Sequence, residues 1–318
     1  MATSGSVDYN RTAEQVIRDA LELLQVISPY ETLEGNDYST CLVTLNLMIK
    51  AWQAQGLHLW TEQEGVLFLN DDQLSYNLGG TSPDKASDNI YKTEISTAEA
   101  SGQTVLSVDS TTSMSVSDQI GVVLDSGAIH WSTVSSKTAT TVTIASATTG
   151  AAAVGNNVYT YTTALGRPLH ISSVRLLSDD DIETELMSLS RMQYFRIPNK
   201  TTSGTPTQYF LDKQRTVTKM YIYPVSDNAE RRIRFTYKRI MEDIDSSTND
   251  FDFPQEWLAC LTYNLAVWVA PKYNLEEKVS AGGTSIAAIA TQNLQLLKQW
   301  DQEHVSLYVR PSGPRDYY

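Results

Sequence analysis

Apolar residues recur at helical spacing near both ends of the chain and at alternating spacing between them. Val16, Ile17, Ala20, Leu21, Leu24 and Ile27 mark one face of a first helix. Thr12 and Gln15 ahead of it have the spacing of a capping box, and Pro29 closes the segment. Leu42, Leu45, Met48, Ile49 and Trp52 mark a second helix, starting at Asp37 or Ser39 and stopping at Gly56. The short acidic loop between them predicts an antiparallel hairpin.

Beyond Trp60 the period changes to that of strands. Val66–Leu69 and Leu74–Leu78 flank the turn Asn70–Asp71–Asp72. From Ser101 to Thr163 Thr, Ser, Ala, Val and Gly dominate. Alternation there predicts strands at Thr104–Val108, Gln119–Leu124, Ile129–Val134, Thr140–Ala145 and Asn157–Thr162, a small antiparallel module. The acidic run opening at Asp179 suits a helix start, so Asp179 to Tyr194 is predicted as a short helix. Tyr209–Leu211, Lys219–Tyr223 and Arg232–Ile240 read as a second small sheet.

Helical spacing returns after Phe253–Pro254. Trp257, Leu258, Leu261, Leu265, Val267, Trp268 and Val269 cover most of a helix circumference, so this helix should be enclosed on several sides. A fourth helix is predicted from Leu275 to Glu303, interrupted at Gly282–Gly283. His304 to Tyr318, with Pro311 and Pro314, reads as an extended tail.

The fold class is therefore α+β: a four-helix base formed by the N- and C-terminal segments, with a long β-rich insertion containing a small antiparallel β module. The expected divisions are 1–60, 61–250 (module 101–163), 251–303 and the tail 304–318. Strands and helices do not alternate, which excludes a doubly wound enzyme.

Composition narrows the chemistry. The chain has 318 residues, 41% hydrophobic and 19% charged, as expected of a globular protein. A net charge of -13 argues against broad wrapping of DNA and suits a surface past which DNA slides. Cys41 and Cys260, each in an apolar helical stretch, are expected as buried free thiols. Met1 to Asn10 is polar, and no apolar run is long enough for a membrane span, so neither a secretory signal nor a membrane association is expected. His58, His130, His170 and His304 are scattered, and no metal-ligand spacing, nucleophile elbow or phosphate loop occurs. No catalytic, cofactor-binding or metal-binding residue is expected.

Two stretches carry a resemblance. Val16-Ile-Arg-Asp-Ala-Leu-Glu-Leu-Leu, its acidic loop and Leu45-Asn-Leu-Met-Ile-Lys-Ala-Trp-Gln-Ala-Gln-Gly-Leu57 resemble the N-terminal helical hairpin of the head-to-tail adaptor of short-tailed bacteriophages (podoviruses). That family is also called packaged-DNA stabilisation protein or tail accessory factor. Tyr263-Asn-Leu-Ala-Val-Trp-Val-Ala-Pro-Lys-Tyr273 is similar to its third helix and exit turn, and Ile286 to Trp300 to its fourth. Compact members join the second and third helices by a short loop, where this chain carries its long insertion.

The resemblance implies a non-enzymatic virion protein, made in the host cytoplasm and placed at the portal vertex. A homo-oligomeric, dodecameric ring under the portal protein would extend the DNA channel, enclose double-stranded DNA without reading its sequence, retain the packaged genome and dock the tail nozzle or hub. A tail fibre or tailspike is a further candidate partner. Candidate residues for the portal or a neighbouring subunit are Arg232, Arg234 and Lys238, on one face of a strand. Tyr308, Arg310, Arg315, Tyr317 and Tyr318 of the tail join them, as types enriched in binding hot spots. Two other classes stay open. One is a host-surface glycan-binding tail component using Trp131, Tyr159 and Tyr161. The other is a peptidoglycan-degrading enzyme using the carboxylates of Asp179–Glu185.

Overall fold

The computed structural model describes residues 5, 6, 8–55, 59–178, 181–280 and 285–301. The chain divides into two compact units, Met1–Leu59 with Met241–Tyr318, and Trp60–Ile240. Among the described residues the six α-helices are α1 (Ala13–Leu23), α2 (Gly35–Ala54), α3 (Arg191–Phe195), α4 (Leu258–Val269), α5 (Glu276–Ser280) and α6 (Ile286–Trp300). Among the described residues no helix is long and apolar enough to cross a membrane.

The first unit joins the two ends of the chain. Thr12 and Gln15 form the capping box that starts α1: each side chain accepts from the other's backbone N–H. Arg18 holds the turn after α1 by donating to the carbonyls of Pro29 and Glu31 at 2.8 and 3.0 Å. The long-range ties are specific. Asn46 exchanges two hydrogen bonds with the backbone of Ile244, and Lys50 reaches the Met241 carbonyl at 2.8 Å. The Tyr273 hydroxyl donates to Asp37 at 2.6 Å, and Lys272 to Thr44 at 2.7 Å.

Helix α4 lies at the centre of this unit, packed against α1, α2 and α6. Leu261, Leu265, Ala266 and Val269 are fully buried, and Trp257 stacks at a tilt on Trp52 with ring centroids 5.9 Å apart. That enclosure explains most of the apolar pattern of the helix, but Trp268, counted in the expected enclosed set, is exposed. The Asn264 amide, buried among these side chains, donates to the Cys260 carbonyl at 2.9 Å and to the Ala290 carbonyl of α6 at 3.3 Å.

The expected fourth helix is not continuous. A 3-10 turn over Ala270–Tyr273 ends at Asn274, which adopts the left-handed conformation (φ 53°), and α5 is a separate short helix. Ser285 then caps α6 through the Ala288 N–H at 3.2 Å. Gly282 and Gly283, expected to interrupt one helix, lie outside the described residues.

The second unit contains a sandwich and a barrel. In one sheet of the sandwich the order is Glu183–Glu185, His170–Leu177, Arg232–Lys238, Glu62–Phe68, Ala86–Ser87, all antiparallel. The facing sheet runs Met187–Ser188, Gln208–Lys213, Thr218–Tyr223, Ser75–Leu78. Leu67, Leu176, Ile233 and Phe235 of the first share a core with Tyr76, Met220 and Ile222 of the second. Asp179 to Tyr194 is thus not one helix. Glu183–Glu185 pairs with Arg175–Leu177, Asp181 stands at φ 59°, and a capping box of Ser190 with Gln193 starts only the short α3. Of the acids that suggested a helix start, Asp181 and Glu183 are ion-pair partners of arginines instead, while Asp179 and Asp180 lie outside the described residues.

The module is a six-stranded antiparallel sheet ordered Tyr91–Glu94, Asn157–Tyr161, Gln119–Val123, Ile129–Lys137, Thr141–Ile144, Val105–Ser107. Its two edges meet. Ile95 bridges Val108, Ser96 N–H donates to the Ser107 carbonyl at 3.0 Å, and Asp109 N–H to the Glu94 carbonyl at 3.1 Å. The sheet therefore closes on itself and leaves no long free edge. Val142 and Ile144 point into its core while Thr141 and Thr143 stay half-buried, which accounts for the Thr-rich alternation.

Candidate functional site

The strand Arg232–Lys238 runs through the middle of the five-stranded sheet. Ile233, Phe235 and Tyr237 enter the sandwich core, so Arg232, Arg234 and Lys238 share the opposite face. Register puts Arg234 directly beside Arg175, a like-charge pair that needs compensation. Glu183 provides it, accepting from Arg175 Nη1 at 2.9 Å and Arg234 Nη1 at 2.7 Å, while Glu64 takes Arg175 Nη2 at 2.5 Å.

Arg232 is the buried member, its side chain only 7% exposed. Its Nη2 donates to Asp181 at 2.6 Å, and its guanidinium lies 5.0 Å from the ring centroid of Tyr159. Lys92 reaches the other oxygen of Asp181 at 3.4 Å. Partial burial pulls the Asp181 carboxyl upward, but hydrogen bonding and charge from Arg232, with Lys92, outweigh it and hold the group below the usual carboxylate range.

These residues line a cleft of about 470 Å³ with Phe68, Ile90, Tyr159 and Leu177 on its apolar walls. Its charges are matched: Lys92, Arg232 and Arg234 face Glu64, Asp88 and Asp181. Asp181 and Glu183, considered above as acid–base candidates, are both committed to arginines, with Asp181 stabilised as the anion. Arg175 Nε and Arg232 Nε, both buried and without an acceptor among the described residues, are unfilled positions of the network. The structure thus pairs Arg232 and Arg234 within their own chain.

Exposed apolar side chains form a second kind of surface. In the helical unit α2 exposes Val43 and Leu47, α4 exposes Trp268, and α6 exposes Leu296 (56%) and Trp300 (60%). Of the fifteen residues of α6 only Ala290 is buried, although Ile286, Ile289, Leu294 and Leu297 are apolar too. In the other unit Met187, Met192 and Phe195 are exposed beside a stack of Tyr194, Phe210 and Tyr221, with centroids 5.1 to 5.7 Å apart. Lys200 lies 5.5 Å from the Tyr194 centroid. The signal for the α3 surface in the sequence is Met192 and Phe195 beside Arg191 and Arg196, a pairing of apolar and basic types on one short segment.

The other expected positions fall as follows. Tyr308, Arg310, Arg315, Tyr317, Tyr318, His58 and His304 lie outside the described residues. Tyr159 and Tyr161 are 3% exposed, and the half-buried Trp131 packs edge-on against Phe68 at 4.9 Å, so all three are engaged in packing. His130 contacts Ser146 and His170 contacts Lys213. Among the described residues no group of His, Cys, Asp and Glu could hold a metal ion.

Comparison with known proteins identifies the chain through its second half. No curated protein matches it. The sequence profile of the SU10 adaptor protein family matches residues 137–310, more than half of the chain. The match runs from the end of the strand Ile129–Lys137 through most of the sandwich strands and through α4, α5 and α6. It takes in both the cationic strand and the exposed face of α6, while the N-terminal hairpin precedes it. The chain therefore belongs to the SU10 adaptor protein family, phage head-tail adaptors, and is a structural component of the virion.

Proposed function

We propose that this protein is the head-to-tail adaptor of a short-tailed phage, assembling as a dodecameric ring beneath the portal. The ring would extend the DNA channel, help retain the packaged genome and present a platform to the tail nozzle. The observation that carries this reading is the adaptor-family match across residues 137–310. Heterologous contacts that close into a ring need complementary faces on one chain. The exposed apolar residues of α2, α4 and α6 supply the desolvatable surface for such contacts.

In this reading α1, α2, α4 and α6 form a four-helix base. The base meets the portal and neighbouring copies through α4, α6 and the segment 304–318, including Tyr308, Arg310, Arg315, Tyr317 and Tyr318. The closed barrel, with its sparsely charged Ser/Thr surface, faces the outside of the ring, where a fibre or tailspike docks. The partly exposed Arg234 remains a position for a further acceptor from an adjacent subunit. Mixing the purified protein with portal rings and imaging the product tests the proposal. A second ring stacked on the portal is the expected result, and portal rings that stay bare would overturn it.

A further inference from the structure

Charge is unevenly distributed along this acidic chain. Over residues 191–219 six lysines and arginines stand against a single acid, Asp212, in a protein of net charge -13. Part of this excess gathers at one end of the sandwich. The hairpin of Gln208–Lys213 and Thr218–Tyr223 turns there, closed by the Gln214 N–H to the Val217 carbonyl at 2.9 Å, and it exposes Lys213 and Arg215. The segment before the strand His170–Leu177 lies alongside. The Thr218 hydroxyl donates to the Pro168 carbonyl at 3.3 Å, and Lys213 Nζ is 3.4 Å from His170 Nδ1. Arg167 backs onto Gly79 so closely that a Cβ on Gly79 would stand 2.4 Å from the Arg167 nitrogen. Lys238 is opposite His170 in register.

Glu62 stands opposite Lys238 in register, but among the described residues Arg167, Lys213 and Arg215 have no such acid beside them. Asp212 is taken by Arg191 and Gln214, and Glu62 accepts from Ser172. Among the described residues no carboxylate pairs with Arg167, Lys213 or Arg215. Burial first, then the charges of Lys213 and Lys238 against the opposing charge of Glu62, hold the His170 imidazole below the usual range. The surface also lacks what a protein partner would need. None of the large exposed hydrophobic residues falls at 167–170 or 213–219, so no apolar anchor is available to form a desolvated centre. Long cationic side chains on turns, without aromatic or aliphatic anchors, fit a repeating, hydrated anion.

We infer that Arg167, Lys213 and Arg215, with His170, form a contact surface for the phosphate backbone of duplex DNA. The contact deepens the adaptor reading and rests on it for the presence of DNA. It is independent of base sequence, and the acidity of the remaining surface keeps each contact weak, so that the duplex is guided without being held.

The test is fluorescence anisotropy of a short labelled duplex with the full-length protein, across a salt titration from low ionic strength. Binding should weaken with salt at a log–log slope of about 2 to 4, roughly 0.9 per neutralised phosphate. The double substitution Lys213→Gln/Arg215→Gln should reduce that slope by about 2 while leaving thermal unfolding unchanged. A wild-type protein that ignores duplex DNA at low salt, or an unaltered slope in the variant, would overturn the inference. So would polyglutamate displacing the duplex at equal charge, which would assign the surface to an acidic protein. The same variant mixed with portal rings separates the two proposals. Stacked rings without DNA binding by the wild type would defeat the DNA contact alone, and DNA binding without stacked rings would defeat the adaptor reading.

Discussion

The Trp131 indole occupies the space that a side chain on Gly121 would need: a Cβ built there would stand 2.8 Å from the ring. The two residues face each other across neighbouring strands of the barrel. Trp131 in turn packs on Phe68 of the sandwich at 4.9 Å, and Lys85 lies 5.5 Å from its centroid. Phe68 also meets Tyr159 at 5.0 Å. The missing side chain thus lets an aromatic of the barrel reach the sandwich. Gly121→Ala should push the indole outward and destabilise the protein by about 1–3 kcal/mol, as overpacking does. Urea denaturation measures the loss, and near-ultraviolet circular dichroism should report altered aromatic packing. An unchanged midpoint would show that the ring yields freely.

The Asp181–Arg232 pair gives a pH dependence of known sign. Asp181 is depressed in the folded state, by Arg232 and Lys92 against the effect of burial. Its contribution is therefore fully present above the unfolded carboxylate value of about 3.9 and is lost as pH falls through the folded value. Asp181→Asn keeps an oxygen for Arg232 but removes the charge. Because the aspartate side chain is 53% exposed, the expected cost at neutral pH is only about 1 kcal/mol. The gap between the urea midpoints of variant and wild type should narrow as pH falls below the unfolded carboxylate value of about 3.9. A gap that persists there would mean that shape, not charge, links the two residues.

Both thiols should be inert in the native protein. Burial pushes Cys41 up to about 11 and Cys260 up to about 12, and both are free and buried. At pH 8 neither supplies appreciable thiolate. Iodoacetamide should leave the folded protein unmodified over a period that labels both residues in guanidinium. Rapid native labelling at Cys260 would show that α4 and α6 separate readily, since Asn264 ties the two helices together beside it.

Different parts of this fold were legible to different degrees, for physical reasons. The barrel strands can be read because their alternation is regular: Thr141, Val142, Thr143 and Ile144 switch faces without a fault. The strand His170–Leu177 escapes the same rule because its pairing shifts between Ile171 and Ser173, a bulge that breaks period two. Capping at Thr12 is local and therefore visible. The role of Asp181 is not, since its partner Arg232 is remote in sequence and only sheet register joins them. The cations of the strand were visible as a face, but their compensation by Asp181 and Glu183 comes from a segment remote in sequence. The exposed side of α6 carries no sequence signal of its own, because Leu296 and Trp300 look like core residues until the packing of α4 is known.

Those two residues provide the sharpest check on the assembly proposed here. Leu296 and Trp300 are one helical turn apart on α6 and more than half exposed, so their burial contributes little to the isolated chain. Leu296→Glu and Trp300→Glu should therefore change the urea midpoint by no more than about 0.5 kcal/mol of stability. If the same side chains are buried between copies or against the portal, each charge introduces an unpaired, desolvated carboxylate, a penalty of several kcal/mol. Stacked rings should then disappear for both variants, while Gln295→Glu, a charge at another exposed position of the same helix, should leave them intact. Full stacking by all three variants would remove α6 from the interface. Loss with all three would point to net charge as the cause, since a specific apolar contact should spare the Gln295 variant.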